Sequence, residues 1–179
     1  GRFTVPTAER SDTHGRFRPL GNVALAVHLQ AYLGVAGQGD MIDIFRSRDT
    51  MPMIFQNEMA ECGLACLAMI ANYYGKFSDI RTLRESLCMP AGGASVKHLL
   101  QAGLRLDLQG RPLKLDLKDI GLLTLPAILH WDTDHFVVLK KITSKSFVIH
   151  DPAMGIRKYG LSELDHHFTG IAIELSPTV

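Results

Sequence analysis

The position of one cysteine in this chain favours reactivity. Cys62 lies in the turn Glu61–Cys62–Gly63, at the predicted start of a helix. A helix N-terminus presents unpaired N–H groups and a partial positive charge, and both favour a thiolate over a thiol. Cys62 is therefore a candidate nucleophile, although a small buried apolar side chain is the alternative interpretation. Cys66, one turn further along the helix, is interpreted as core packing, and Cys88 has no evident partner.

A thiolate nucleophile needs a general base and a group that orients the base. His135 begins a predicted strand, 135–142, and a second strand, 146–150, follows after a short loop. If the loop is 142–144, His135 opposes Asp151 in an antiparallel hairpin, and a slip of a residue or two leaves both at the same end. Cross-strand neighbours are about 5 Å apart. A carboxylate near an imidazole fixes its tautomer and supports its charged form. A surface pair at a strand end remains the alternative.

A metal site is a second alternative for this region. The candidate ligands are His130, Asp132, Asp134, His135, His150 and Asp151. No Cys-x-x-Cys or His-Glu-x-x-His spacing supports zinc.

An attack on a carbonyl also requires hydrogen-bond donors for the oxyanion. The backbone N–H of Cys62 is one candidate. Gln56 offers a side-chain amide if its segment folds back over the start of the helix. A solvated glutamine in a connecting segment is the alternative.

Three predicted helices precede the predicted strands. The first covers 63–74 and stops at Gly75, the second is capped by Ser78, and the third is capped by Ser95 and ends at Gly103. Their inward positions are Leu64, Leu67, Ala68, Ala71 and Tyr74, then Ile80, Leu83 and Leu87, then Val96, Leu99 and Leu100. The first helix should therefore bury a single stripe.

The apolar pattern then changes to a period of two. It alternates at Leu104, Leu106 and Leu108 and again at Leu113, Leu115 and Leu117, and apolar runs follow at 126–129, 136–139, 147–149 and 171–175. A short helix, 162–168, precedes the last run. Helices followed by strands predict an α+β domain with an antiparallel sheet.

Composition excludes several classes of protein. The chain has 179 residues, of which 46% are apolar and 21% charged, so it is not disordered. Its net charge of +1 gives no support for a nucleic-acid partner. No apolar run is long enough to span a membrane. Three cysteines do not form a disulfide framework, so a reducing compartment is expected.

The first fifty residues differ from the rest of the chain. All their basic residues are arginine, they contain no cysteine, and they show no clear periodicity. Residues 1–50 are therefore interpreted as an accessory or poorly ordered extension, and 51–177 as the functional domain.

Four segments resemble a known family. Gln56–Ile70 resembles the cysteine motif of C39 peptidases, His130–Leu139 their histidine motif, His150–Gly155 their Asp-Pro motif, and His167–Ala172 the segment that closes their domain. The sequences of these motifs most resemble those of the colicin V type. The resemblance covers Met51–Pro177 in the expected order and spacing.

The resemblance implies a papain-like cysteine peptidase. By motif position, Cys62 would be the nucleophile, His135 the base, Asp151 its orienting group and Gln56 part of the oxyanion hole. Asp134 departs from the expected asparagine, and its carboxylate is expected to raise the pKa of His135.

The implied activity is removal of the leader from a bacteriocin or microcin precursor after Gly-Gly or Gly-Ala. The implied partners are a precursor with an amphipathic helical leader and the membrane-spanning and nucleotide-binding domains of a peptide-exporting ABC transporter. No cofactor is expected for the peptidase domain, while the parent transporter would use ATP and Mg²⁺. The implied location is the cytoplasmic face of the bacterial inner membrane, with this fragment soluble by itself. Two alternatives remain, namely a module that binds leaders without cleaving them and a papain-like acyl transferase.

Overall fold

The computed structural model describes residues 50–86 and 92–178. The predicted extension lies outside the described residues except for Thr50, and so do Leu87 and Cys88. The prediction of an accessory segment therefore stays a prediction. Within the described part of the chain, every helix is too short or too polar to cross a membrane.

Helices precede strands, and the strands form one antiparallel sheet. The helices are α1 (Cys62–Tyr73), α2 (Ile80–Ser86), α3 (Val96–Arg105) and α4 (Leu161–His167), with 3₁₀ turns at Met59–Glu61 and Leu117–Leu122. The strands are β1 (Leu108–Lys114), β2 (Ala127–Trp131), β3 (His135–Ile142), β4 (Phe147–Asp151), β5 (Gly155–Tyr159) and β6 (Phe168–Pro177). Their order is β1-β6-β2-β3-β4-β5. The predicted α+β class is confirmed.

Apolar side chains cover both faces of the sheet. One face contributes Ile128, Phe136, Val138, Ile173 and Leu175 to a core that it shares with α1, α2 and α3. The other contributes Ala127, Leu129, Val137, Leu139, Ile149 and Ala172, which pack with Ile120 of the second 3₁₀ turn and Leu164 of α4. The strand alternation therefore serves two separate cores.

Helix α1 is buried on all sides, so the prediction of a single buried stripe is wrong. Every residue from 62 to 71 is buried, because α1 packs against β3, α2 and α3. Gly63 permits the close approach of α3, since a Cβ there would lie 3.0 Å from both Ala94 Cβ and Leu99 Cδ2. As predicted, α1 ends before Gly75, which has a positive φ of 76°.

The cap of the second helix differs from the prediction. Asp79 rather than Ser78 accepts the N–H of Thr82 at 2.8 Å. The Ser78 hydroxyl instead donates to the Lys76 carbonyl. Ile80 and Leu83 are buried as predicted.

The third helix begins as predicted and ends later. Ser95 caps it by accepting the N–H of His98, and Leu99 is fully buried. The helix passes Gly103, where a Cβ would lie 3.1 Å from Leu175 Cδ2, so this glycine permits packing and does not end the helix. The predicted strand over 104–106 is therefore wrong, and Leu104 is exposed.

The β3–β4 hairpin forms, but with a register that differs from the predicted one. Val138 pairs with His150 and Leu139 with Ile149. Within the hairpin, the register also shifts between Leu139 and Lys141. The loop is longer than predicted because Thr143 closes it, with its N–H and hydroxyl bonded to the Ser146 carbonyl. Strand β5 was not predicted, since three of its five residues are exposed and its apolar alternation is weak.

Candidate active site

Cys62 is the first residue of α1, as the sequence predicted. It follows the 3₁₀ turn Met59–Glu61 and is 5% exposed. The first N–H groups of an α-helix have no intrahelical partner, so the polar start of α1 lies at this sulfur. Its position suits an anionic sulfur or an oxyanion formed next to it.

His135 and Asp151 are hydrogen-bonded. His135 Nε2 lies 2.9 Å from Asp151 Oδ1, with side chains 19% and 5% exposed. Continuing the register from the pair Val138–His150 puts Asp151 beside Val137, so the two residues are diagonal neighbours and not opposite as predicted. Diagonal neighbours on one face remain within reach of long side chains. The predicted contact therefore forms despite the error in register.

The Cys62 side chain lies close enough to the His135 ring to raise its pKa. Burial of the ring opposes its charged form, but the hydrogen bonds and negative charges of Asp151 and Cys62 outweigh burial and raise the pKa of His135 to about 9. Because a carboxylate only accepts, Nε2 carries the proton shared with Asp151 and Nδ1 is the nitrogen left for the thiol. The sequence brings these three side chains together from α1, β3 and β4.

Asp151 is fixed by its own turn as well as by His135. Its Oδ1 accepts the N–H of Ala153 at 2.8 Å and that of Met154 at 3.3 Å. Burial opposes its charged form, but the His135 hydrogen bond, the Ala153 N–H and the positive imidazolium lower its pKa. An ionised Asp151 can therefore orient His135 and stabilise its positive charge.

Gln56 reaches this end of the molecule because its segment folds back over the start of α1. Its backbone N–H donates to the Pro152 carbonyl at 3.0 Å, one residue beyond Asp151. The side-chain Oε1 is buried and, within the described part of the chain, has no hydrogen-bond partner. An oxyanion role for Gln56 required that its segment fold back over the start of the helix, and the segment does so. The role itself stays a prediction.

Aromatic rings lie behind the His135–Asp151 pair. Trp131 is the cross-strand neighbour of His135 and meets the Tyr159 ring edge-on at 5.2 Å. Burial and then the nearby charge of Asp151 raise the pKa of Tyr159, which places this phenol near the carboxylate. Trp131 also stacks on His167 at 4.9 Å. An aromatic cluster therefore lies next to the pair.

The six candidate metal ligands do not converge on one point, because most of them pair with other groups. His130 pairs with Thr169, Asp132 with His167 and His135 with Asp151. His150 is buried among apolar residues, which lowers its pKa, and the Lys140 charge lowers it further. Across residues 50–86 and 92–178, His, Cys, Asp and Glu side chains do not gather in threes that could hold a metal.

Asp134 lies in the β2–β3 turn, one residue before His135. Its charge opposes the burial that lowers the pKa of His130. The main causes of the raised pKa of His135 are Asp151 and Cys62. A contribution of Asp134 to that pKa stays a prediction.

Cys66 is fully buried within α1. Burial and the charges of Cys62 and Asp151 raise its pKa well above the usual value. Its thiol therefore stays protonated, which agrees with its interpretation as a core residue.

Sequence reasoning missed one ion pair next to the nucleophile. Glu61 is 4% exposed, and one carboxylate oxygen pairs with Arg84 of α2. The other accepts the N–H groups of Asn57 and Glu58. An acidic residue before a helix was the local signal, but its cation lies 23 residues away.

Comparison with known families gives one assignment. The Peptidase C39 family matches residues 50–179. The chain is 45% identical over 132 residues to the probable microcin-H47 secretion/processing ATP-binding protein MchF of Escherichia coli. It is 41% identical over 138 residues to the colicin V secretion/processing ATP-binding protein CvaB of the same organism. These matches cover 74% and 77% of this chain but only 19% and 20% of the relatives, so the chain spans about a fifth of their length.

Solved structures with the same fold are peptidase domains. One is a double glycine motif protease from an AMS/PCAT transporter in complex with the leader peptide, with a TM-score of 0.69 and 35% identity. That match covers 75% of this chain and 96% of the protease. The peptidase domain of Streptococcus ComA, a bi-functional ABC transporter involved in a quorum sensing pathway, gives a TM-score of 0.65 and 27% identity. It covers 72% of this chain and 99% of that domain.

These matches confirm the predicted papain-like fold and the prediction of a cysteine peptidase. The matched residues contain Gln56, Cys62, His135 and Asp151. Because the match extends over more than half of the sequence, the chain belongs to the Peptidase C39 family.

Proposed function

We propose that the chain removes the leader of a bacteriocin- or microcin-type precursor by cleaving after Gly-Gly or Gly-Ala. The observation that carries the proposal is the contact of Cys62 with a His135 ring that Asp151 holds at 2.9 Å. A sulfur, an imidazole and an orienting carboxylate in this order make a nucleophile and its base.

The first step is attack on the scissile carbonyl. The Cys62 thiol transfers its proton to His135 Nδ1, and the thiolate forms a bond to the carbonyl carbon. The imidazolium that results is stabilised by Asp151 through the Nε2 hydrogen bond. The raised pKa of His135, about 9, supports a ring that keeps this proton at neutral pH.

The tetrahedral intermediate needs donors for its oxyanion. We assign the backbone N–H of Cys62, at the polar start of α1, and the side-chain amide of Gln56. The donor would be the Nε2 group of Gln56, and its Oε1 makes no hydrogen bond within the described part of the chain that would hold the amide in another orientation. Removal of one such donor typically costs about 10²–10³-fold in kcat.

Collapse of the intermediate completes the hydrolysis. His135 donates its proton to the leaving amine, which departs as the N-terminus of the mature peptide and leaves the leader as a thioester on Cys62. Water then loses a proton to His135, attacks the thioester and releases the leader with a free carboxylate. Glycine and alanine at the cleavage point suit a narrow cleft, since larger side chains would clash.

Exposed apolar side chains beside the site support an amphipathic helical leader as the substrate. Phe55, Met154 and Ile156 are 55%, 59% and 57% exposed. The Phe55 ring lies against Gly155, since a Cβ on that glycine would be 3.5 Å from its Cζ. We call Phe55, Met154 and Ile156 the apolar patch. An exposed apolar surface can bind an amphipathic helix through residues spaced at i, i+3, i+4 and i+7.

The context that we propose is a peptide exporter. The relatives are named as secretion/processing ATP-binding proteins, and this chain covers about a fifth of them. The remaining parts would then be the membrane-spanning and nucleotide-binding domains, which would use ATP and Mg²⁺. The peptidase would work at the cytoplasmic face of the bacterial inner membrane.

Incubation with a precursor whose leader ends in Gly-Gly tests the proposal. Mass spectrometry should show the leader and the mature peptide, and neither should form with the Cys62→Ala variant. Ala65→Ser, a conservative change of a buried residue on the same helix, controls for the effect of substituting any residue in α1 and should still cleave the precursor. An intact precursor, or cleavage by Cys62→Ala, would overturn the proposal, and tight binding without cleavage would favour the leader-binding module.

A further inference from the structure

A buried ion pair lies directly before the nucleophile, and the chemistry above does not use it. Glu61 is 4% exposed, whereas Arg84, which pairs with it, is about half exposed. Burial of a carboxylate is tolerated when hydrogen bonds and an ion pair compensate both of its oxygens. This carboxylate lies between Gln56 and Cys62 in sequence.

The Glu61 carboxylate holds the backbone that follows Gln56. One oxygen accepts the N–H of Asn57 at 2.9 Å and that of Glu58 at 3.1 Å. The N–H of Gln56 itself donates to the Pro152 carbonyl at 3.0 Å. Three consecutive N–H groups are thus fixed, one to the turn after Asp151 and two to the residue before Cys62.

Arg84 makes this arrangement compatible with a thiolate. A bare carboxylate at position 61 would put a negative charge next to the sulfur. The guanidinium of Arg84 offsets that charge and leaves the oxygen that faces Asn57 and Glu58 free to accept. Helix α2 therefore reaches the site through this cation.

We propose that Glu61 is a positioning residue that holds Gln56 in place for the oxyanion, with Arg84 as its counter-ion. The inference rests on the proposed function. In a purely structural role, Glu61 would only stabilise the fold. In a positioning role, the loss in kcat after removal of Glu61 arises from the displacement of Gln56.

Glu174 provides a matched control. It is also a buried glutamate, 7% exposed, and it pairs with Arg111 at 2.6 Å and accepts the N–H of Thr124 at 2.7 Å. It lies on β6, which pairs with the edge strand β1 and is separated from β4 by β2 and β3. Glu61→Leu and Glu174→Leu should both lower the melting temperature.

Only Glu61→Leu should lower kcat, by about 10- to 100-fold, because a misplacement near 1 Å can cost about 10²-fold. The KM should stay within about threefold. Glu61→Gln keeps one oxygen that can accept the two N–H groups, so its kcat should be intermediate. Because Gln56→Ala removes what Glu61 positions, it should add little to the loss in the Glu61→Leu background. A kcat loss equal to that of Glu174→Leu, or a full cost of Gln56→Ala in that background, would overturn the proposal.

Hydrogen exchange separates this inference from the proposed function, since it needs no substrate. Peptides that cover residues 55–60 should exchange faster in Glu61→Leu, and in Glu61→Ala if the leucine variant does not fold, but not in Glu174→Leu. Unchanged exchange in this segment would overturn the positioning role even if the wild type cleaves its precursor. Cleavage by the wild type is the separate test of the function.

Discussion

The charge of Asp151 should set the alkaline limit of activity, and Asp151→Asn tests this. Asparagine keeps an oxygen that can accept from His135 Nε2 but removes the negative charge. The rise in the pKa of His135 from 6.5 to about 9 corresponds to about 3 kcal/mol in favour of the charged ring. The ring is only 19% exposed, so solvent screens this interaction weakly.

The expected change follows from the fraction of protonated ring. A group with a pKa of about 9 is about 97% protonated at pH 7.5, whereas one at 6.5 is about 9% protonated. Because burial opposes the charged form in both proteins, the pKa in the variant should fall toward 6.5, although Cys62 still raises it. Activity at pH 7.5 should then drop by up to about tenfold from protonation alone, with a smaller loss near pH 6.

The assay is kcat/KM against pH on a double-glycine precursor. The alkaline limb should lie near pH 9 in the wild type and move down by about one to two pH units in Asp151→Asn, where Cys62 still raises the pKa of His135. Asp132→Asn is the matched control, since Asp132 pairs with His167 at the same 2.9 Å but outside the site. An alkaline limb that stays within about half a pH unit of the wild type in Asp151→Asn would refute the electrostatic reasoning.

Three further predictions address other parts of the site. Gln56→Ala should lower kcat about 10²–10³-fold with little change in KM, because it removes an oxyanion donor; steady-state kinetics check this, and an unchanged kcat would contradict the assignment. Ile156→Ser should raise the KM for a precursor with its full leader by about 5- to 30-fold, since it removes about 1–2 kcal/mol of apolar contact. Leu104→Ser, at 58% exposure against 57%, should not raise it; equal KM values for both variants would argue against the apolar patch. Iodoacetamide should alkylate Cys62 in the native protein and Cys66 only after unfolding, because Cys66 is fully buried and its pKa is raised; peptide mapping that finds native Cys66 modified would contradict this.

Local pattern was enough to predict the positions of the candidate nucleophile and its candidate base. Cys62 follows from its position at a helix start, and His135 begins β3 at the predicted residue. The predicted hairpin put His135 near Asp151 even with the wrong register, because both residues end their strands at the same edge. The Thr143 side chain lengthened the loop, and local alternation of apolar residues carries no information about that bond.

Contacts between distant elements could not be predicted in the same way. The single stripe expected for α1 assumed one packing partner, but α2, α3 and the sheet surround the helix. Glu61 offered only the weak signal of an acidic residue before a helix, and its cation, Arg84, lies on the next helix. Burial of polar groups depends on such tertiary contacts, so the structure was needed to identify the Glu61–Arg84 pair.

If Cys62 forms a thioester with the leader, water must then cleave that thioester. Hydrolysis of a double-glycine precursor in ¹⁸O-labelled water, followed by mass spectrometry of the products, detects this step. We expect a leader fragment that ends in Gly-Gly, carries a single oxygen from water in its new carboxylate and is absent with Cys62→Ala. A leader released as an amide or without labelled oxygen, or a precursor that stays intact, would refute the mechanism.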